Sequence, residues 1–389
     1  MRLHHEGSFG LQSLVFALVS AAFTAIYLTQ PVLPVIRQEF GVDEKQASLT
    51  VSAVILGIAL SNLPFGRLSD RTRIKPLIAV GGAVVVVFGL LCAVTHHIWL
   101  LVGFRFVQGL FIPALTTCLA AYLSRHLPAE RLNVVMGSYV AATVVGGLLG
   151  RLMGGFIHPP LHWRIAFVSV SMLIAAAALA ALLWLPREAD ERPEPNQEVG
   201  FLSLLRRPDL LRIYAAAFCA FFVFSGLFNY LPFYLSGPPF GFSTNLVTFM
   251  YLAYLVGVVI APLSGRVSNR LGSGVTLCAG AVVFAAALLV THISSGWAVG
   301  AGLCGVCAGF FAIHAAAVGT LNRRLSSSRG RANSLYILFY YLGGSAGITL
   351  SGFAYQGFGW PGVSGLGLLM LAVIFWAGAA EMRAQAPQA

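Results

Sequence analysis

The chain has 389 residues, of which 58% are hydrophobic and only 10% are charged, and its formal net charge is +11. Soluble domains are about 25% charged, so a water-soluble core of this length could not bury so much apolar surface. The composition therefore excludes an ordinary soluble domain, and we predict an all-α membrane protein in contact with the lipid bilayer.

Long apolar segments recur along the whole chain, and about 20 residues suffice for a helix to cross the hydrocarbon core. Six of these segments precede a polar stretch and six follow it, which predicts twelve transmembrane helices. In chain order, the predicted spans are residues 12–36, 47–68, 75–95, 98–124, 133–157, 165–185, 210–235, 245–268, 275–292, 297–321, 333–355 and 363–380.

The positive charge is distributed unevenly between alternate loops. Arginines cluster in the loops that follow the even-numbered spans, as Arg67, Arg125 and Arg323 illustrate. Short loops rich in Lys and Arg stay on the cytoplasmic side of a membrane. We therefore expect both termini in the cytoplasm, and we attribute the net charge to topology and not to a nucleic-acid partner.

Sequence features recur at half the chain length. The segment Gly-Arg-Leu-Ser-Asp-Arg at 66–71 returns as Gly-Arg-Val-Ser-Asn-Arg at 265–270, an offset of 265 − 66 = 199 residues. Two further pairs have similar offsets of 200 and 197 residues: Arg131 with Arg331, and Trp163 with Trp360. A parallel repeat of this kind predicts two pseudo-symmetric six-helix bundles, with a solute site between them near the bilayer midplane.

One polar stretch separates the two halves. The predicted domains are an N-terminal bundle at residues 1–186, a cytoplasmic linker at 187–208 and a C-terminal bundle at 209–389. The linker is acidic and broken by prolines, which suits an exposed tether. Residues 202–207 could form a short amphipathic helix on the membrane surface; the alternative is a disordered connector with one basic anchor.

The repeated segment carries the first functional motif. Gly66 permits a close approach of helices, and Asp70 beside Arg71 can pair with arginines on neighbouring elements. The segment resembles the Gly-x-Leu-Ala-Asp-Arg signature of the major facilitator superfamily, and the similarity covers nearly the whole chain. The resemblance implies a transporter that alternates between two states, with an Asp70 latch made in only one. The alternative is a positive-inside loop with no switching role.

An arginine lies within the fourth predicted span. Arg105 and Gln108 match the superfamily's Arg-x-x-Gln-Gly motif, and a charge inside the membrane must face the bundle interior or water. We consider two roles for Arg105. It could couple to a bound solute, or it could brace the first helix by donating to carbonyls freed near Pro31 and Pro34.

The fifth predicted span carries glycines at 137, 146, 150, 154 and 155. Gly146, Gly150 and Gly154 line one helix face and permit close backbone contact. Their spacing resembles that of exporters within the superfamily, except that Arg151 replaces the proline of the family motif. Together with Tyr27 and Gln30, this segment is similar to a bacterial subgroup of such exporters.

Depth along the helices relates several polar residues. At about 1.5 Å rise per residue, Arg105 and Arg151 lie at a similar depth, as do Gln30 and Asn229, so the four could form one polar ring. The predicted spans contain no Asp or Glu except at helix ends. His314 is the single histidine deep in a predicted span, and its ordinary pKa of about 6.5 suits proton coupling. A helix-packing donor is the alternative role for His314.

Aromatic residues are abundant in the second half, and Tyr336 and Tyr340 lie one helical turn apart. Tyrosines that line a cavity offer apolar faces and hydroxyl groups to an amphipathic solute. Aromatic packing or an interfacial belt is the alternative. The predicted solute-binding residues are Tyr27, Gln30, Arg105, Gln108, Arg151, Asn229, Tyr336 and Tyr340.

We therefore predict a secondary transporter of the bacterial inner membrane that exports a drug or metabolite by alternating access, in antiport with protons. A carrier of a neutral sugar or organic anion, with different or no proton coupling, is the alternative. A membrane-embedded enzyme would need a nucleophile with a base, a metal cluster or paired carboxylates, and the sequence offers none of these. We expect a monomer that needs no cofactor or metal.

Overall fold

The computed structural model describes residues 6–69, 71–127, 129–185, 200–325 and 329–385. Within these residues the chain is helical, with short connections and no β-strand. Eleven helical stretches of the described residues are long and apolar enough to cross a membrane. Internal contacts divide the chain into two compact units, Met1–Pro193 and Glu194–Ala389.

The first unit contains eight helices among its described residues. They are α1 (Glu6–Tyr27), α2 (Leu33–Phe40), α3 (Glu44–Ser69), α4 (Ile74–Val94), α5 (Ile98–Leu115), α6 (Thr117–His126), α7 (Ala129–Ile157) and α8 (Trp163–Trp184). Helix α1 packs on α7, and α5 packs between α3 and α4. Helix α8 closes the unit against α4 and α1.

The second unit contains seven helices among its described residues. They are α9 (Phe201–Leu205), α10 (Pro208–Ser236), α11 (Thr244–Met250), α12 (Leu255–Leu271), α13 (Ser273–Val290), α14 (Gly296–Arg323) and α15 (Arg329–Gln385). Helix α10 packs on α15, α13 packs on α14 and α15, and α12 packs on α14.

Three of the crossings are interrupted helices. The first runs from α1 through a 3₁₀ turn at Gln30–Val32 into α2, because Pro31 and Pro34 supply no backbone N–H and cannot continue an α-helix. The fourth crossing passes from α5 to α6 at Thr116, and the eighth contains a 3₁₀ turn at Tyr251–Tyr254. Each break frees backbone groups inside the bundle.

The 57-residue helix α15 is two crossings joined without a loop. Gly359 has φ 62° and ψ −146°, which reverses the chain between the predicted eleventh and twelfth spans. Twelve crossings follow, so the predicted all-α fold with twelve transmembrane helices is confirmed. The two helices that we predicted at 333–355 and 363–380 are thus both present, and they meet directly at Gly359.

Candidate functional site

Arg105, on α5, is fully buried in the first unit. Its guanidinium donates hydrogen bonds to three backbone carbonyls and one side chain: Nε to Thr50 O (2.9 Å), Nη1 to Ala25 O (2.7 Å) and Gln108 Oε1 (2.9 Å), and Nη2 to Ile26 O (2.6 Å). The acceptors lie on α1, α3 and α5 itself. Arg105 therefore ties three helices together.

The carbonyls that Arg105 binds on α1 follow from the local sequence. Helix α1 ends at Tyr27, and the last four carbonyls of a helix have no partner within it. Ala25 and Ile26 supply two of these carbonyls, and the prolines at 31 and 34 prevent the helix from continuing. The contacts match the bracing role that we considered for Arg105.

Arg151, on α7, lies in the core of the first unit and is only 2% exposed. Its Nε donates to Gln30 Oε1 (2.8 Å), and its Nη1 donates to Gly147 O (2.6 Å). The guanidinium carbon lies 3.9 Å from the centre of the Tyr27 ring, a cation–π contact. A lipid-facing position is excluded, as the desolvation argument predicted.

The predicted polar ring is therefore realised in part. Gln30 joins Arg151 directly, whereas Arg105 contacts Gln108, whose Nε2 in turn donates to Val85 O (3.0 Å). The two arginines bind different groups near the end of α1: Arg105 binds carbonyls, and Arg151 binds side chains. Neutral backbone oxygens, amide groups and a ring face thus hold both guanidinium groups, and no carboxylate of the spans neutralises their charge.

Glycines set the distance between α1 and α7. A Cβ atom placed on Gly146, Gly150 or Gly154 would overlap the backbone oxygen of Ser20, Thr24 or Leu28, respectively. The predicted close contact is confirmed at all three positions. Ser20 Oγ adds a hydrogen bond to Ala142 O (3.3 Å) across the same junction.

The second unit repeats this junction between α10 and α15. A Cβ atom on Gly343 or Gly347 would overlap the backbone oxygen of Phe218 or Phe222. These glycines lie 343 − 146 = 197 and 347 − 150 = 197 residues after their counterparts. Sequence reasoning missed this pair, although the equal offset between Trp163 and Trp360 would have located it.

His314, on α14, is partly buried in the second unit. Its Nδ1 is 2.9 Å from the hydroxyl oxygen of Tyr336. The rings of Tyr340 and Phe310 flank it, with centroids 5.3 and 6.1 Å away. The structure thus brings His314 into contact with Tyr336 and Tyr340, a pair that the sequence selected for a different reason.

These residues belong to a larger group, which we call the aromatic cluster: Phe221, Phe224, Phe228, Tyr254, Phe310, Phe311, His314, Tyr336 and Tyr340. Face-to-face stacking joins its helices, since the ring centroids of Phe221 and Tyr340 are 3.9 Å apart and those of Phe224 and Phe310 are 3.8 Å apart. Tyr340 remains only partly buried. The cluster offers π faces beside one titratable ring.

Asn229, on α10, is fully buried. Neither atom of its terminal amide has a hydrogen-bond partner among the described residues, and the same holds for Ser225 Oγ one turn earlier. An unsatisfied buried polar group costs about 1–3 kcal/mol. Asn229 and Ser225 therefore place buried polar atoms one turn apart on α10, and these atoms have no hydrogen-bond partner among the described residues.

The predicted latch is described only in part, because Asp70 lies outside the described residues. The close helix approach that we predicted at Gly66 is wrong, since a Cβ there would meet no atom within 4 Å. Arg71 is exposed. Arg125, on α6, donates to Ser69 O (2.7 Å). An arginine from the fourth crossing therefore reaches the residue that precedes Asp70.

The second copy of the motif shows an equivalent contact. Arg323, at the end of α14, donates to Asn269 Oδ1 (3.1 Å) and to Ser268 Oγ (3.4 Å). An uncharged amide thus occupies the position that Asp70 has in the first copy. Arginine reaches the motif segment in both units.

An ion-pair network that the sequence did not indicate lies at the same end of the second unit. Arg324 contacts Glu381 (2.5 Å) and Asp209 (3.2 Å), and Asp209 also pairs with Arg207 (2.7 Å). Arg324 is far from Asp209 and Glu381 in sequence, so no local pattern could reveal its two contacts. The network joins the ends of α10, α14 and α15.

A second charged group lies in the first unit, at the end opposite to Ser69. Glu39 accepts hydrogen bonds from Trp163 Nε1 and Arg164 Nη1, and Arg164 Nη2 also donates to Thr95 O (2.7 Å). Nearby, burial and the charge of His162 lower the pKa of His158. These contacts fasten α2 and α4 to the start of α8.

Comparison with known proteins gives one consistent family. The Major Facilitator Superfamily model matches residues 15–322. The chain is 31% identical to the inner membrane transport protein YnfM of Escherichia coli, over 94% of this chain and 88% of that protein. It is 28% identical to the MFS-type transporter YybF of Bacillus subtilis, over 95% and 94% of the two chains.

A solved structure shares the fold. The inward-facing, unoccupied structure of a bacterial homologue of the human lysosomal transporter Spinster has a TM-score of 0.74 and 17% identity. The match covers 99% of this chain and 98% of that one. At this identity the likeness shows the fold alone.

Proposed function

This chain belongs to the major facilitator superfamily and is a multi-pass secondary transporter, and we propose that it exports a small solute across the bacterial inner membrane in exchange for protons. Its relative YnfM is named as an inner membrane protein, which supports that location. The glycine contacts of α7 with α1 support export, because their spacing is the one that resembles exporters of the superfamily.

The contact between His314 and Tyr336 is the observation that supports the proposed proton coupling. A proton carrier must titrate, and the interiors of the predicted spans contain no Asp or Glu. His314 is the histidine deep in a span, and its Nδ1 lies within hydrogen-bond distance of a phenol. Imidazole can exchange a proton near neutral pH when its surroundings change.

The aromatic cluster provides the surface on which we place the solute. Tyr340 and His314 are both partly accessible, and their ring faces and polar atoms suit an amphipathic molecule. Asn229 adds an amide that has no partner among the described residues. We assign solute contact to these residues together with Tyr336.

The residues of the first unit have a different role in this proposal. Arg105, Gln108 and Arg151 are hydrogen-bonded to other groups of that unit, and Arg151 contacts Tyr27 and Gln30. We therefore assign them to holding the end of α1 in place. Gly66, Asp70 and Arg71 would form the cytoplasmic latch, opposite arginines such as Arg125. Alternating access then consists of making and breaking that latch as the solute and the proton exchange.

One observation favours a second candidate function. Two arginines are buried in the first unit, and the span interiors contain no carboxylate to balance them. A solute that carries a carboxylate, or a neutral sugar, fits this charge pattern better than a cation does. The second candidate is therefore a carrier of an organic anion or sugar that does not depend on protons.

Transport in proteoliposomes tests the proposal. Purified protein is screened for solute efflux with and without a pH gradient, and proton movement is followed with a trapped pH dye. We expect the gradient to drive transport of the wild-type protein. Gradient-independent transport of an anion or sugar would contradict proton exchange and favour the second candidate.

The substitution His314→Gln separates proton carriage from packing. Glutamine keeps a hydrogen-bonding amide but cannot titrate, so we expect at least a tenfold loss of gradient-driven transport while solute affinity changes less than threefold, or about 0.7 kcal/mol. His292→Gln, at an exposed site outside the aromatic cluster, is the matched control. Unchanged gradient coupling in the His314 variant would make His314 structural.

A further inference from the structure

Three unsatisfied polar atoms lie within one turn of α10. Asn229 is 0% exposed and Ser225 is 3% exposed. The atoms Nδ2 and Oδ1 of Asn229 and Oγ of Ser225 have no hydrogen-bond partner among the described residues. Burial of such atoms without a partner is unfavourable, and native structures contain few of them. Three within about 6 Å of helix length indicate that this part of α10 binds a group from outside its own unit.

The same face of α10 continues into the aromatic cluster. Residues four apart lie on one face of a helix, so Phe221, Ser225 and Asn229 follow one another along α10. The ring of Phe221 stacks on that of Tyr340, with centroids 3.9 Å apart, and the ring of Tyr340 lies 5.3 Å from that of His314. Ring faces and unsatisfied hydrogen-bonding atoms therefore adjoin within one unit.

The helices of the second unit have no charged side chain away from their ends. Residues 213–265, 271–322 and 332–380 contain no Asp, Glu, Lys or Arg, and His314 is the histidine deep in these helices. A charged solute group on this surface would lose its hydration and meet no opposite charge of the unit. A hydroxyl group loses much less, and it can both donate and accept a hydrogen bond. The surface therefore favours an uncharged solute.

We propose that Asn229 and Ser225 bind the hydroxyl group of an uncharged aromatic solute whose ring packs on the aromatic cluster. One solute hydroxyl can accept from Asn229 Nδ2 and donate to Asn229 Oδ1 or Ser225 Oγ, while ring faces pack on ring faces. The inference rests on the proposed transport role of the aromatic cluster, and it names the class of solute as a phenol or another neutral aromatic alcohol.

Four probes that share one ring system test the proposal. They are 2-naphthol, naphthalene, 2-naphthoate and 2-naphthylmethylammonium, which combine the ring with a hydroxyl group, no polar group, an anion and a cation. Displacement of radiolabelled 2-naphthol from the protein in nanodiscs at neutral pH gives the four affinities, with the signal of empty nanodiscs subtracted. We expect 2-naphthol to bind about tenfold more tightly than each of the other three.

The substitution Asn229→Leu separates solute recognition from a structural role. Leucine has a similar size but no hydrogen-bonding atom, so 2-naphthol should bind the variant about tenfold more weakly. Because the amide has no partner within its unit, the variant should unfold in detergent at the wild-type temperature or above it. Ser225→Ala should weaken 2-naphthol binding about threefold. Ser236→Ala, at an exposed site of α10, is the matched control and should not.

Four results would overturn the proposal. They are equal affinities for 2-naphthol and naphthalene, tighter binding of either ion, unchanged 2-naphthol affinity in both the Asn229 and Ser225 variants, and a lower unfolding temperature of Asn229→Leu with unchanged affinity. Binding is measured without a pH gradient, so a 2-naphthol that binds but is not exchanged for protons contradicts the proposed function alone. Proton exchange driven by another solute, with no binding of 2-naphthol, contradicts this inference alone.

Discussion

The first unit buries two guanidinium groups that are bound by neutral groups and not by carboxylates. Arg105 is satisfied by carbonyls that the interrupted α1 cannot use, and Arg151 by Gln30, Gly147 and the face of Tyr27. An arginine is costly in a membrane interior unless it is bonded in this way. The break in α1 and the presence of Arg105 are therefore complementary features.

Replacing Arg105 by lysine should destabilise the protein. A single ammonium group cannot reach the four acceptors that the fork of Arg105 joins, so carbonyls at the end of α1 would be left unsatisfied. We expect a loss of about 2–4 kcal/mol in unfolding free energy, measured by denaturant titration in detergent. Arg270→Lys, at an exposed site, should have no comparable effect. Wild-type stability combined with lost transport would show that Arg105 acts on the solute instead.

The latch can be tested by comparing the two copies of its motif. Asp70→Asn gives the first copy the amide that Asn269 already provides in the second, and Arg323 shows that an arginine can bind such an amide. Loss of the charge should weaken a state-dependent pair by about 1–3 kcal/mol and slow transport at least fivefold with normal expression. Asn269→Ala is the control. Wild-type rates in the Asp70 variant would count against the latch.

Helix pairs carry the tightest packing in both units. Helices α1 and α7 approach so closely that three glycines face backbone oxygens, and α10 and α15 repeat the arrangement at Gly343 and Gly347. Helix association in membranes depends on such close packing, because lipid is as apolar as the side chains. The duplicated bundle therefore preserves a contact geometry while the polar residues around it differ between units.

Alanine substitutions should reveal this dependence on close contact. Gly150→Ala and Gly347→Ala each place a methyl group against backbone, which cannot move like a side chain, so we expect each to destabilise the protein by about 1–3 kcal/mol. Gly137→Ala is the matched control on α7, since a Cβ there meets no atom within 4 Å. Thermal unfolding in detergent measures all three. A Gly150 variant as stable as the Gly137 variant would refute the close contact.

The elements that the sequence predicted are those that depend on local pattern. Apolar length located the crossings, and glycine spacing located the face of α7 that meets α1. Both helices of α15 were predicted, but the direct join at Gly359 was not, because a reversal at one glycine needs no polar loop. The pair of His314 with Tyr336 was also unpredictable as a contact, since it depends on the register between two consecutive helices, which no local sequence pattern sets.

At the scale of the whole molecule, an even number of crossings predicts that the two termini lie on the same side of the membrane. The arginine-rich loops predict that this side is the cytoplasm. Green fluorescent protein fused after Ala389 should therefore fluoresce, and alkaline phosphatase fused there should be inactive. Alkaline phosphatase fused in the loop at 158–162 should be active. The opposite pattern would reverse the orientation and, with it, the assignment of the latch to the cytoplasm.

Gly359 has a consequence for how the gene can vary. Its φ of 62° with ψ of −146° belongs to a region that is essentially restricted to glycine, and another residue there costs of order 1–3 kcal/mol. Long loops accept insertions at small entropic cost. A reversal made by one residue differs, because its geometry depends on the backbone angles of that residue alone. Epitope tags and natural insertions should thus be tolerated in the proline-rich linker. They should be rejected at 357–361, because an inserted residue there would require a different turn.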